Sequence, residues 1–104
     1  VREEPIRFED LDRQSIGEGQ SAVWLNQNFP DAWRYEIRDR RRQDNEVVVL
    51  CRLDLLGHKM HKAQFGSAMI PATENGEYRN EREAESAAYE SAVDDALRQC
   101  IRYL

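Results

Sequence analysis

The sequence is poor in the residues that build covalent or metal-held frameworks. Its 104 residues include only two cysteines, two histidines, three prolines and five glycines. Because Cys51 and Cys100 each stand among apolar residues, we expect two buried free thiols rather than a disulfide framework. Zinc ligands usually come in closely spaced pairs, and His58 and His61 have no matching second pair. We therefore expect no metal and no cofactor.

Long apolar runs and catalytic motifs are also missing. The longest apolar run is Val47–Cys51, far short of the roughly 20 residues that span a membrane. The charged N-terminus lacks the apolar segment of a signal peptide, so we expect a cytoplasmic protein without a membrane partner. Gly17 and Gly19 lack the preceding strand and the third glycine of a phosphate-binding loop. No nucleophile–base pair is recognisable, so we predict that the protein is not an enzyme and has no small-molecule substrate.

The clearest pattern that is present is a long amphipathic helix over residues 82–104, which contain no glycine or proline. Apolar residues recur there three and four positions apart, as on one face of a helix: Tyr89, Val93, Ala96, Leu97, Cys100, Ile101 and Leu104. The many alanines favour close packing against a flat sheet. A polar stripe is predicted on the opposite side, formed by Ser91, Asp95, Arg98 and Arg102.

The preceding residues predict an α+β domain. A short helix over Ala22–Phe29 ends at Pro30, because the residue before proline avoids helical dihedrals. Trp33, Tyr35 and Ile37 then alternate with charged residues, which indicates a half-buried strand. We place a turn at residues 40–45, further strands at 46–56 and 58–70, and a polar loop at 71–80. The chain is thus predicted as one domain, 1–104, in which an extended arm (1–16) precedes a helix–β–β–β–helix core (17–104). In this core the long helix packs on one face of an antiparallel meander.

Charge is unevenly distributed along the chain. The net charge of −5 argues against a nucleic-acid partner, yet residues 34–62 hold eight cations against five acids. If Trp33, Tyr35 and Ile37 face the helix, a basic stripe on the opposite face would suit a phosphate backbone; its members would be Arg34, Arg38, Arg40 and Arg52. The alternative is that these arginines pair with Glu36 and Asp54 across the strands.

Three stretches resemble, in the same order, the core of the Rad-fifty-two family of single-strand annealing proteins. They are Asn28–Ile37 (NFPDAWRYEI), Val47–Gly57 (VVVLCRLDLLG) and Ala88–Leu104 (AYESAVDDALRQCIRYL). The resemblance implies a protein that binds single-stranded DNA and promotes annealing of complementary strands in recombination and repair. It also implies a homo-oligomer, usually a ring.

The resemblance adds helix residues to the predicted interface. Arg98 falls where the family has a DNA-contacting lysine, and Arg102 keeps a basic position one turn later. Gln99 stands where a second basic residue is usual, and Asp94 and Asp95 make this turn more acidic than in a typical member. An alternative is that Arg98 pairs with Asp94 within the helix. The complete set of predicted single-stranded DNA contacts is Arg38, Arg40, Arg52, Lys62, Arg98 and Arg102.

Two other classes of function fit the same order of elements. A double-stranded RNA-binding domain also has a helix, three strands and a helix, but reads RNA with a basic start to its last helix. Here that helix starts with Glu81, Arg82 and Glu83, which would repel phosphate. A non-catalytic assembly domain that uses an exposed Val48 and Leu50 face would explain the acidic net charge without any nucleic acid.

Overall fold

The structure, a computed structural model, describes residues 11, 13, 16–72 and 78–104. Its element order is α1 (Ser21–Asn28), β1 (Trp33–Gln43), β2 (Glu46–Leu55), β3 (Met60–Met69) and α2 (Glu81–Arg102). The strands form one antiparallel sheet in the order β1-β2-β3, and α2 packs on one face of it. The predicted α+β fold is therefore confirmed. Most of the predicted arm and part of the predicted 71–80 loop lie outside the described residues.

The sheet forms because every second residue of β2 is apolar and fully buried, whereas its other side carries Val48 and Leu50 together with charged residues. Val47, Val49, Cys51, Leu53 and Leu55 all face α2 and are at most 2% exposed. A two-residue turn, Asp44 and Asn45, joins β1 to β2, and Asp44 has the positive φ (53°) that Asp tolerates better than most residues. Our prediction placed the start of this turn four residues too early, because the arginines before it continue β1.

The α2 helix lies close to the sheet because its buried stripe is built from alanine. Ala84, Ala88, Ala92 and Ala96 recur every fourth residue and are at most 2% exposed. Opposite this stripe, Gly66 of β3 faces α2 at a point where the helix backbone leaves no room for a Cβ. The predicted close approach of an alanine-rich helix to a sheet is thus confirmed, although the stripe includes Ala84, Ala88 and Ala92 rather than Tyr89.

One of the two buried clusters contains residues of both helices and of the sheet. Leu97, Cys100 and Ile101 of α2 pack there with Leu53 of β2 and with Phe29, which follows α1. Asp94 of α2 holds the start of α1, since its carboxylate accepts hydrogen bonds from the backbone N–H groups of Gly19 (2.9 Å) and Ser21 (3.1 Å). An acidic side chain at a helix N-terminus satisfies otherwise unpaired donors.

Ile37 lies on the helix side of the sheet, opposite Cys51, but it does not pack against α2. Ile37 of β1 is 44% exposed and belongs to neither buried cluster. The reason is that α2 lies over β2 and β3 and makes few contacts with β1. The two buried thiols, by contrast, are confirmed: Cys51 and Cys100 are both free and buried. Within the described ranges, neither helix is long and apolar enough to cross a membrane.

Candidate nucleic-acid interface

The face of the sheet opposite α2, which we call the open face, is not covered by any described element. Residues paired across antiparallel strands point to the same side, so the register assigns the members of this face. Its centre is apolar: Leu50 pairs with Phe65 and Val48 pairs with Ser67. The Phe65 side chain is 56% exposed. The open face therefore presents an accessible aromatic ring on a rigid strand.

One end of the open face gathers positive charge. Arg34, Asp54 and His61 form one row across the three strands, and Arg52 lies in the next row. Lys59, from the β2–β3 turn, lines the same shallow depression of about 290 Å³. We call this set the cationic end; its members are Arg34, Arg52, Asp54, Lys59 and His61.

Asp54 organises the two arginines of the cationic end. Its Oδ1 accepts a hydrogen bond from Nε of Arg52 at 3.0 Å, and its Oδ2 lies 3.6 Å from Nε of Arg34. Partial burial alone would raise the pKa of Asp54. The hydrogen bond from Arg52 and the charges of Arg52 and Arg34 outweigh that effect and lower it. Asp54 therefore stays ionised, holds the guanidinium of Arg52 in place and attracts that of Arg34 more weakly.

The predicted basic stripe is only partly assembled, and Arg40 is the clearest error. The register shifts at a β-bulge between Ile37 and Asp39, so that Arg40 pairs with Val49 on the side of α2. Its guanidinium lies 5.8 Å from the centroid of the Tyr89 ring. A bulge adds one residue to a strand and so reverses which residues face each side. Simple alternation would have kept Arg40 on the open face.

The same bulge also decides which side of the sheet Arg38, Arg41 and Arg42 face. Arg38 is the extra residue, and its Nη1 donates to Oε2 of Glu36 at 3.2 Å on the open side. Arg41 pairs with Val48 on the open face and is exposed. Arg42 turns to the helix side and forms ion pairs with Glu81 (2.7 Å) and Glu85 (2.9 Å) of α2. Of the cross-strand pairs that we considered as an alternative, Arg34 with Asp54 is the one that forms, whereas Arg38 and Arg52 pair with acids of their own strands.

The remaining predicted residues lie around α2 rather than on the open face. Lys62 pairs with Leu53, which faces α2. Arg98 has a side chain only 17% exposed, and its Nη2 donates to Asp95 at 2.8 Å. The alternative that we considered for Arg98, a pair with Asp94, is not formed because Asp94 accepts hydrogen bonds at the start of α1. Arg102 is exposed in the last turn of α2. The six predicted residues thus do not line one groove.

The polar stripe predicted on α2 is not solvated throughout. Asp95 accepts a hydrogen bond from the backbone N–H of Ser67 at 3.0 Å, which occupies part of the outer edge of β3. A cavity of about 730 Å³ lies beside this contact, between α2 and β3. Among the described residues that line it, the acids are Glu18, Glu90, Asp94 and Asp95, and the one cation is Arg98. This negative lining does not suit a phosphate backbone.

A second exposed surface, on the helix side of β1, was not predicted. Trp33 stacks on Tyr35 with ring centroids 6.3 Å apart, and Tyr35 and Ile37 are 48% and 44% exposed. We call these three residues the β1 ledge. It borders an edge strand of 11 residues. The ledge is exposed because α2 stands over the other two strands.

Sequence reasoning also missed Phe65, Lys59, His61 and Arg41 as residues that share the open face with Arg52. The predicted strands left only Gly57 between β2 and β3, which would place Gln64 opposite Leu50. The observed turn spans residues 56–59 and pairs Leu50 with Phe65 instead. No sequence signal marks the bulge. Among the residues that the structure describes, no three His, Cys, Asp or Glu side chains come together as a metal site would require.

Comparison with known proteins adds no further assignment: no protein-family model matches the chain, and no curated protein is significantly similar to it.

Proposed function

We propose that this protein binds single-stranded DNA across the open face and promotes annealing of complementary strands in recombination and repair. The observation that carries the proposal is the Phe65 ring, 56% exposed on an uncovered sheet and flanked by the cationic end. Proteins that bind single strands combine aromatic rings, on which bases stack, with cations that follow the backbone. The resemblance of three stretches to single-strand annealing proteins supports the same function.

The surface favours unpaired over paired nucleic acid. A base can stack on Phe65 only when its own face is free, as it is in a single strand. A double-stranded RNA-binding domain would need a basic start to α2. Here Glu81 and Glu85 occupy that turn and pair with Arg42, so the duplex alternative has weaker support.

The predicted contacts differ in how available their charges are. Arg52 belongs to the cationic end, and Arg38 reaches the open side beside Glu36. Both arginines can contact a DNA strand that lies on the open face. The other four predicted contacts, Arg40, Lys62, Arg98 and Arg102, would meet a strand only if it also passed along α2. We therefore expect substitutions on the open face to weaken binding most.

Equilibrium binding of a fluorescent single-stranded oligonucleotide tests the proposal. Phe65→Ala removes one stacking platform, worth about 1–3 kcal/mol per base, and should weaken binding by roughly 5- to 150-fold. Met69→Ala is the matched control, because Met69 is also apolar, is 64% exposed and lies on the same face of β3. Equal affinities for the parent and Phe65→Ala would refute the proposed surface.

Annealing is tested with two complementary labelled strands. Arg52→Gln should slow annealing and reduce the salt dependence of binding by roughly 0.7 units of logarithmic slope per lost phosphate contact. Sequence preference should stay unchanged, because phosphates carry no sequence information. Arg79→Gln serves as the control, since Arg79 is exposed and directly precedes α2, which packs on the face of the sheet opposite the open face. If both variants anneal strands like the parent, Arg52 has no role in annealing.

We further propose a homo-oligomer assembled through β1. Exposed edge strands invite pairing with another chain, and natural proteins rarely leave them open. The β1 ledge would add apolar contacts to such pairing. Ile37→Lys should then shift the protein to smaller species in light scattering, whereas Val23→Lys, at an equally exposed apolar residue of α1, should not. A parent protein that stays monomeric at high micromolar concentration contradicts this proposal.

An assembly domain without nucleic acid remains a second candidate, favoured by the apolar centre of the open face. Val48 and Leu50 are half-buried there, and Phe65 and Met69 are exposed. Exposed apolar patches often mark protein interfaces. This function predicts that the parent binds neither single strands nor RNA duplex at any salt concentration.

A further inference from the structure

The cationic end differs from the rest of the open face in having more cations than acids. Among the described residues that line the depression, three cations, Arg34, Arg52 and Lys59, surround a single carboxylate, Asp54, with His61 beside them. Glu36 lies opposite Arg52 in the next row but accepts a hydrogen bond from Arg38. The Arg34 side chain is 72% exposed, and Lys59 is exposed in the β2–β3 turn. Among the described acids, Arg34 approaches only Asp54, at 3.6 Å, and Lys59 forms no ion pair. Both charges are therefore available to an anion.

Asp54 preorganises the cationic end, because it fixes the guanidinium of Arg52 before any anion binds. Its side chain is 17% exposed and its carboxylate holds the Nε of Arg52 at 3.0 Å, so that the terminal nitrogens of Arg52 can bind an anion. A guanidinium whose position is already fixed loses less entropy when it binds an anion. The depression of about 290 Å³ has room for a phosphate group.

We propose that the cationic end binds a phosphomonoester, namely the terminal phosphate of a nucleic-acid strand that lies on the open face. This inference rests on the proposed function. A terminal phosphate carries a charge of about −1.5 to −2 near neutral pH, whereas each internal phosphate of a strand carries a single negative charge. A cluster of three cations and one acid complements the larger charge better. The cationic end lies beside the β2–β3 turn, at one end of the sheet. A nucleic-acid strand that crosses Phe65 would leave the open face there.

Three oligonucleotides of one sequence test the proposal: one with a 5′-phosphate, one with a 3′-phosphate and one with hydroxyl groups at both ends. One of the phosphorylated strands should bind about tenfold more tightly than the hydroxyl strand, the order expected for one added charge-assisted contact. Arg34→Gln and Lys59→Gln, at exposed positions that leave the core intact, should each reduce that preference. Arg41 lies on the same face outside the cationic end. Arg41→Gln should therefore weaken the binding of all three oligonucleotides and keep the preference for the phosphorylated end.

A titration with inorganic phosphate tests the phosphate site independently of the proposed single-strand binding. Added phosphate should move the backbone amide resonances of Lys59 and His61, and chloride at equal ionic strength should not. Strands that bind without any end preference, together with no phosphate effect, would overturn the site and leave single-strand binding standing. A phosphate effect without strand binding would support a phosphomonoester site and refute the proposed function. An end preference that survives both Arg34→Gln and Lys59→Gln would overturn the assignment to this cluster.

Discussion

The close packing of α2 on the sheet depends on Gly66, and Gly66→Ala tests it directly. A Cβ at this position would lie 2.7 Å from Cα of Ala96 and still closer to the backbone nitrogen of Ala96 and the carbonyl oxygen of Ala92. Non-bonded carbon atoms prefer about 3.5–4.0 Å. The helix would have to move outward by about 1 Å, which would loosen the contacts of its alanine stripe with Val49.

The expected cost follows from this displacement. Adding a methylene to a well-packed core costs about 1–3 kcal/mol and occasionally more, and the atoms that clash here belong to a helix backbone that cannot rotate away. We expect Gly66→Ala to reduce the free energy of unfolding by at least about 3 kcal/mol. In a domain of this size that corresponds to a fall in Tm of roughly 12–24 °C.

Denaturant unfolding of three variants isolates the cause. Gly17→Ala is the control: its Cβ would meet only Cγ of Gln20, at 3.8 Å, so the change should be neutral or stabilise the fold by up to about 1 kcal/mol. The double variant Gly66→Ala/Ala96→Gly should be at least as unstable as Gly66→Ala, because the clash involves backbone atoms that Ala96→Gly retains and a glycine inside a helix costs about 1 kcal/mol. A Gly66→Ala protein within about 0.5 kcal/mol of the parent would refute the proposed packing.

Three further predictions concern side chains inside the fold. The pKa of Asp54 is lowered in the fold, so its stabilising effect is complete above its unfolded pKa of about 3.9 and is lost as pH falls through the folded pKa. Asp54→Asn should therefore lose less stability than the parent between about pH 5 and 3, as measured by denaturant unfolding. Burial raises the pKa of Cys51 and of Cys100 to about 11. Iodoacetamide should then label both thiols at pH 8 only as fast as the protein unfolds, and rapid labelling of the native protein would contradict their burial. Arg98→Ala breaks a half-buried ion pair and should lower stability by about 1–2 kcal/mol, whereas Arg102→Ala should change it little.

The order of elements could be predicted because each has a local signal. The three- and four-residue spacing of apolar residues up to Ile101 identifies the C-terminal half of the buried face of α2, and alternation from Val47 identifies β2. These signals reflect burial along a single element, and burial dominates the energetics of such a small core. The faces of β2 could therefore be assigned without knowing its neighbours.

The candidate site was harder to predict because it depends on relations between elements. The bulge after Ile37 moves Arg40 to the helix side, and a bulge in an exposed edge strand leaves no trace in apolar periodicity. The partner of Arg98 also depends on a distant element: Asp94 is engaged by α1, about 70 residues earlier in the chain, which leaves Asp95 to bind the arginine. Both outcomes arise where charged side chains choose among several neighbours of similar energy.

The most direct test of single-strand binding on the open face is an NMR titration of the protein with a single-stranded oligonucleotide. Our account predicts saturable binding, with the largest amide shifts at Leu50, Arg52 and Phe65 and small shifts at Glu90 on the exposed side of α2. A duplex of the same sequence should produce weaker shifts. Shifts that never saturate, or that are confined to α2, would contradict the account.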